Sequence, residues 1–144
     1  MLFLIVAAAT AIGLLAWNLA SRRTTGHLQK LNDRRRTGSR IVGRGEFVDG
    51  GRRFDVALAL TDTAFYYESS AVQASLDLEW IEELDYDTRL ATGRTIASGQ
   101  VMRLRCHRQV FEFVLPDDSV AAWKTEFPAH RQMAALAAPA QRLA

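Results

Sequence analysis

At 144 residues and 49% hydrophobic, the chain has room for one core of about 100 residues and a further segment, so a second domain core is excluded. The net charge of +2 hides an asymmetry: residues 22–53 hold ten cationic against three acidic residues, a net +7, whereas residues 54–144 hold eight against thirteen, a net −5. Such a split points to a particular location or partner for the basic part, and a single cysteine, Cys106, excludes both a disulfide framework and a cysteine-rich zinc cluster.

Residues 1–20, "MLFLIVAAATAIGLLAWNLA", carry no charged side chain and run directly into Ser21-Arg22-Arg23. A helix over residues 2–20 is about 28 Å long, close to the roughly 30 Å hydrocarbon core of a bilayer, and Trp17 and Asn18 fall at its boundary. A cleaved signal peptide fits poorly, because the cations follow the apolar run and "WNLAS" is a weak cleavage site. A core helix of this length would show a polar face, and a surface helix would carry charge on one side. The expectation is a transmembrane helix over residues 1–20. Lys and Arg follow it and none precedes it, so the positive-inside rule predicts a single-pass protein of the cell membrane, N-terminus outside and C-terminal domain cytoplasmic.

Residues 21–39 read as a basic juxtamembrane linker, with a short helix over "HLQKLNDRRR" that sets Leu28 and Leu31 on one side. Candidate contacts to anionic lipid headgroups are Arg22, Arg23, Arg34, Arg35, Arg36, Arg44, Arg52 and Arg53. Each cation held near a bilayer is worth up to about 1 kcal/mol, fading within a Debye length. Nucleic acid is not an expected partner, since this arm has no aromatic residue before Phe47 and no reader motif.

Short alternating runs begin at residue 40. "RIVGRGEFV" reads as a strand, "VDGGRR" as a hairpin turn, and "FDVALAL" places Phe54, Val56, Leu58 and Leu60 on one face. "TDT" is a tight turn before the aromatic strand "AFYYES". "SLDLEW" and "IEELDYD" follow as two strands with an irregular step near Trp80-Ile81 that accounts for the adjacent Glu82-Glu83 pair. "RLATGRTIASGQ" reads as a loop or a loosely paired hairpin end, and "VMRLRC" with "QVFEFVL" as the last hairpin. Pro116-Asp117-Asp118-Ser119 then supplies a stop and an N-cap for a helix whose Val120, Trp123 and Phe127 form one apolar stripe, bent or restarted at Pro128 and continuing through "AHRQMAALAA". The predicted fold is mainly β: about seven antiparallel strands bent into a barrel over residues 40–137, a C-terminal helix closing its open end, and a flexible tail over 138–144.

In this order the pieces resemble bacterial pleckstrin-homology-like and GRAM-like domains. The resemblance rests on "VALALTDTAFYYES", on "LDLEWIEELDYD" as the step between sheets, and on the final hairpin followed by a helix with Trp123; it covers roughly residues 40–130. It implies a bent seven-stranded sheet capped by a helix, acting as a binding or scaffolding module and not as an enzyme. Lipid-binding members carry basic residues in the first hairpin. Here Arg44 before the turn and Arg52-Arg53 after it are similar in placement but lack the basic-x-Arg spacing, which implies general anionic attraction and not inositol-phosphate recognition.

The residues offer no competing chemistry. His27, His107 and His130 share no metal or catalytic spacing, Cys106 alternates with inward positions, and "GRGEF" lacks both the third glycine of a dinucleotide loop and the Lys-Ser/Thr of a phosphate loop. Catalytic residues, cofactors and metals are therefore expected to be none. The six carboxylates of "LDLEWIEELDYD" are expected on a solvated strand face with ordinary pKa values. The leading expectation is a membrane-anchored module that binds a protein partner through a strand edge or the groove beside the helix. The alternative is binding of an anionic lipid or small ligand through Arg44, Arg52, Arg53, Arg89 and Arg94.

Overall fold

A computed structural model describes residues 26–131. The expected transmembrane helix over 1–20 and the tail over 138–144 lie outside these residues. Among the described residues no helix is long and apolar enough to cross a membrane.

The described chain starts in a helix, α1, over residues 26–36, followed by strands β1 (Ile41–Asp49), β2 (Arg52–Leu60), β3 (Ala64–Glu68) and β4 (Gln73–Asp77). A 3-10 turn over Leu78–Trp80 leads to β5 (Ile81–Asp87), then come β6 (Gln100–Cys106), β7 (Gln109–Leu115), helix α2 (Asp117–Glu126) and a two-residue strand β8 (His130–Arg131). All strand pairs are antiparallel, in the order β4-β3-β2-β1-β7-β6-β5-β8. The sheet is not closed: β4 and β8 are its two edges, so the expected barrel is corrected to an open, bent sheet of eight strands.

The bend follows from distances. Strands β3 and β7 stand three places apart, which in a flat sheet is about 14 Å, yet the rings of Phe65 and Phe113 lie 5.1 Å apart. The sheet folds over its own inner face, and one core gathers Val56, Leu58, Leu60, Phe65, Ile81, Leu84, Met102, Leu104, Phe113 and Leu115. Period-two alternation predicts this face on β2, β6 and β7. Phe54 departs from it and is 37% exposed, because β2 meets β3 only over Ala57–Leu60 and the start of β2 has no strand on that side.

Helix α2 closes the open end of this core. Trp123 is fully buried, its ring against Gly43 and edge-on to Phe65, and Phe127 packs beside them. Tyr86 Oη donates to the Phe127 carbonyl at 2.7 Å, and Arg40 donates to the Glu126 carbonyl at 2.7 Å, which pins the end of the helix to β5 and to the entry of β1. Pro116 itself is the N-cap, with no side-chain cap; Asp117 and Asp118 face the positive end of the helix dipole. The expected continuation after Pro128 is corrected: residues 130–131 are extended and pair with Glu83 and Leu84 of β5. Pro128 has no N–H for a helix, and the sheet edge supplies the hydrogen bonds instead.

A second, smaller core lies on the outer face. Leu90 and Ile96, from the segment 88–99, fold back onto Val101 and Val114, with Val48 beside them. Arg103 holds this fold-back. It pairs with Asp85 at 3.1 Å and Glu112 at 3.2 Å and donates to the Arg89 carbonyl at 2.8 Å.

Candidate interaction surface

The acidic stretch is structural. The register sets Glu83 opposite Arg105 and Asp85 opposite Arg103, with a bulge between Ile81 and Glu83 where the step was expected. Glu83 pairs with Arg105 at 3.4 Å and with Arg131 at 2.7 Å. Its carboxyl is held below the ordinary range, chiefly by the hydrogen bond from Arg131. Asp87 is lowered as well, by accepting the backbone N–H groups of Thr88 and Arg89. Ordinary pKa values were expected for these two groups, and the cross-strand and backbone donors are the reason for the departure. Trp80, which extends the period-two run of Leu76 and Leu78 in sequence, is 47% exposed, because the 3-10 turn rotates its residues by about a third of a turn each and breaks the alternation. Cys106 is buried as expected, and burial raises its thiol pKa. Among the described residues no cluster of His, Cys, Asp and Glu has the geometry to hold a metal ion.

The outer face of β1–β3 is more distinctive. Its outward positions on β2 include Ala57 and Ala59, both buried, and on β3 they are Tyr66 and Glu68, paired in register with Ala59 and Ala57. The small alanines leave space above the sheet, and α1 enters it. The helix turns Leu28, Asn32 and Arg35 toward this face at the i, i+4, i+7 spacing of one stripe. Leu28 and Asn32 are buried, and Leu31 is only half-buried.

Arg35 is the polar anchor. Its guanidinium forms an ion pair with Glu68, whose side chain is 5% exposed, and lies 3.9 Å from the centre of the Tyr66 ring. The Glu68 hydrogen bond raises the Arg35 pKa, and Gln73 Nε2 donates to the same carboxylate at 3.4 Å. The seat is incomplete, because Asn32 Oδ1 and Arg35 Nε are buried without a hydrogen-bond partner among the described residues. Each such group costs about 1–3 kcal/mol, comparable to the gain from burying one leucine side chain.

Two grooves flank Leu28. One, of about 320 Å³, lies between α1 and the 88–99 segment, with Arg44, Glu46, Arg53 and Asp55 among its lining. The other, of about 470 Å³, lies between α1 and the β3–β4 turn, with Phe54 and Ser69 among its lining.

The expected headgroup residues separate in this setting. Arg22 and Arg23 lie outside the described residues. Arg34, Arg36, Arg44 and Arg52 are exposed, and none of them has a carboxylate within ion-pair distance among the described residues. Arg53 pairs with Glu46 at 3.2 Å, and Arg35 is held by Glu68. Arg89 and Arg94 sit on the exposed part of the 88–99 segment. Sequence reasoning missed Glu68, Tyr66 and Asn32. Glu68 and Tyr66 alternate with the inward Phe65 and Tyr67, and the Leu28-Asn32-Arg35 stripe was the signal that a helix covers them. No protein-family model matches the chain, and no curated protein matches its sequence.

Proposed function

We propose that this chain is a single-pass, membrane-anchored PH-like module that acts as a non-catalytic protein-interaction or scaffolding unit at the cytoplasmic face of the cell membrane. The observation that carries this reading is the seating of α1. The helix nearest in sequence to the uncharged N-terminal run, α1, packs on the outer face of the sheet, so that face is joined to the run through a seated helix and not through β1 alone. The bent antiparallel sheet, with a C-terminal helix whose tryptophan covers its open end, supports the PH-like part of this reading. The carboxylates of the acidic stretch favour a non-catalytic role: a general acid needs a raised pKa, and Glu83 and Asp87 are lowered by structural donors.

A protein partner suits the mixed-charge groove better than general headgroup attraction does, since Glu46 and Asp55 line it beside Arg44 and Arg53. Crosslinking in native membranes from a photoreactive residue at Arg44 tests this. A discrete protein adduct is expected; crosslinking to lipid alone would replace this reading with the anionic-lipid one.

A further inference from the structure

We propose that Glu68 and Tyr66 form an arginine-receiving site, that Arg35 is its internal occupant, and that α1 is a strap which an arginine-bearing segment of a partner protein displaces. The inference rests on the interaction-module reading and names the chemistry of the partner.

The site is built for a guanidinium. A carboxylate this deeply buried on an outer sheet face requires a cation, since an unpaired buried charge is strongly unfavourable. The Tyr66 ring, 3.9 Å from the guanidinium carbon, offers a flat π face that suits a planar, weakly hydrated cation better than an ammonium group. An anionic lipid is the wrong ligand here, because Glu68 repels it.

The occupant is held loosely enough to exchange. Arg35 uses Nη2 for Glu68 while its buried Nε finds no acceptor among the described residues, and Asn32 Oδ1, one turn earlier on the helix, finds no donor among them. Leu28 is the one fully seated apolar side chain of the described helix, with open grooves on both sides. The connection to β1 is short and passes through Gly38, in the left-handed region at φ +85°, and Ser39 Oγ donates to the Arg35 carbonyl at 2.5 Å, so displacing α1 breaks only a local turn. An incoming arginine that satisfies its Nε as well as its Nη atoms binds the same carboxylate better than Arg35 does. The released helix then carries Arg34, Arg35 and Arg36 free together, and the alanine face of β2 lies open.

The test uses the purified full chain in neutral detergent micelles. In the Arg35→Ala variant, titrated N-ethylguanidinium is expected to shift the Tyr66 ring resonances saturably, ethylammonium to shift them less, and the added Glu68→Gln substitution to abolish the response. Equal, non-saturating responses to the two cations, or a response that survives Glu68→Gln, overturn the site. An unchanged Trp123 indole N–H resonance verifies that the fold persists, and Arg35→Lys serves as the milder variant. In the unsubstituted chain, a synthetic peptide of residues 26–36 is expected to speed amide exchange across α1, and the same peptide with lysine at the Arg35 position to do so less. Exchange unmoved by either peptide overturns the strap. No membrane or partner is present in these measurements, so their failure is distinct from failure of the crosslinking test.

Discussion

Two glycines show how narrowly single positions are defined. At Gly99, φ is +79° and a Cβ would stand 2.0 Å from the Leu115 carbonyl oxygen, while the Gly99 N–H donates to Asp117 Oδ1 at 2.9 Å. At Gly45 a Cβ would lie 2.9 Å from the Val114 carbonyl oxygen and 2.9 Å from Leu58. Backbone atoms cannot step aside as a flexible side-chain tip can. Gly99→Ala is expected to cost about 3 kcal/mol and Gly45→Ala about 2 kcal/mol, through strain and overpacking. Gly26→Ala, in a helix with nothing within 4 Å, is expected to leave stability unchanged or slightly raised. Denaturant midpoints for the three variants check this ordering. The sequence marks Gly43 and Gly45 as departures from strand composition, but their reason, the close approach of Trp123 and of β7, is tertiary and has no local signature.

Among the elements, the 88–99 segment is the least legible in sequence and among the most dependent on one side chain. Leu90 and Ile96 stand six residues apart, off the helical period, and the in-phase strand positions between them are the polar Thr92 and Arg94, so no continuous apolar stripe announces that both are buried. Their anchor is Arg103, an outward residue of β6 whose loss leaves Glu112, 9% exposed at its side chain, without a cation. Arg103→Met is expected to destabilise the fold by about 3 kcal/mol, as for a broken buried ion pair, and to accelerate amide exchange over residues 88–99 more than over α2. The hairpins β1–β2 and β6–β7 are read from alternation almost residue for residue, because one face of each is fully committed to the core. The pairs across β5 and β6 also set a pH dependence. The Glu83 and Asp87 carboxyls sit below their ordinary values in the folded chain. Their contribution is therefore complete above the ordinary carboxylate range near pH 4 and is lost as pH falls through the lowered folded values. An acid titration of thermal stability is expected to decline in that range, and Glu83→Gln to flatten the decline.

For the whole molecule, the proposed tether predicts topology: an N-terminal tag on intact cells is expected to be reachable by antibody and a C-terminal tag shielded, and the reverse pattern overturns the orientation. The mainly β character, the succession of strands along the chain and the closing helix follow from sequence pattern. The open sheet and the path after Pro128 do not, because both depend on which strand edge is left to be paired. The arrangement of those edges has a further consequence for solubility. A free strand edge is a template for association with a second chain. Here β4 offers five residues, Gln73–Asp77, ending in a charge, and β5 is covered by β8 at Glu83 and Leu84, with Asp85 and Asp87 beyond. Short length at one end and a covering strand followed by like charges at the other discourage copy-to-copy strand addition. Copies held at high density on a common surface would therefore stay individually folded, with the outer face of each still facing its neighbours' solvent.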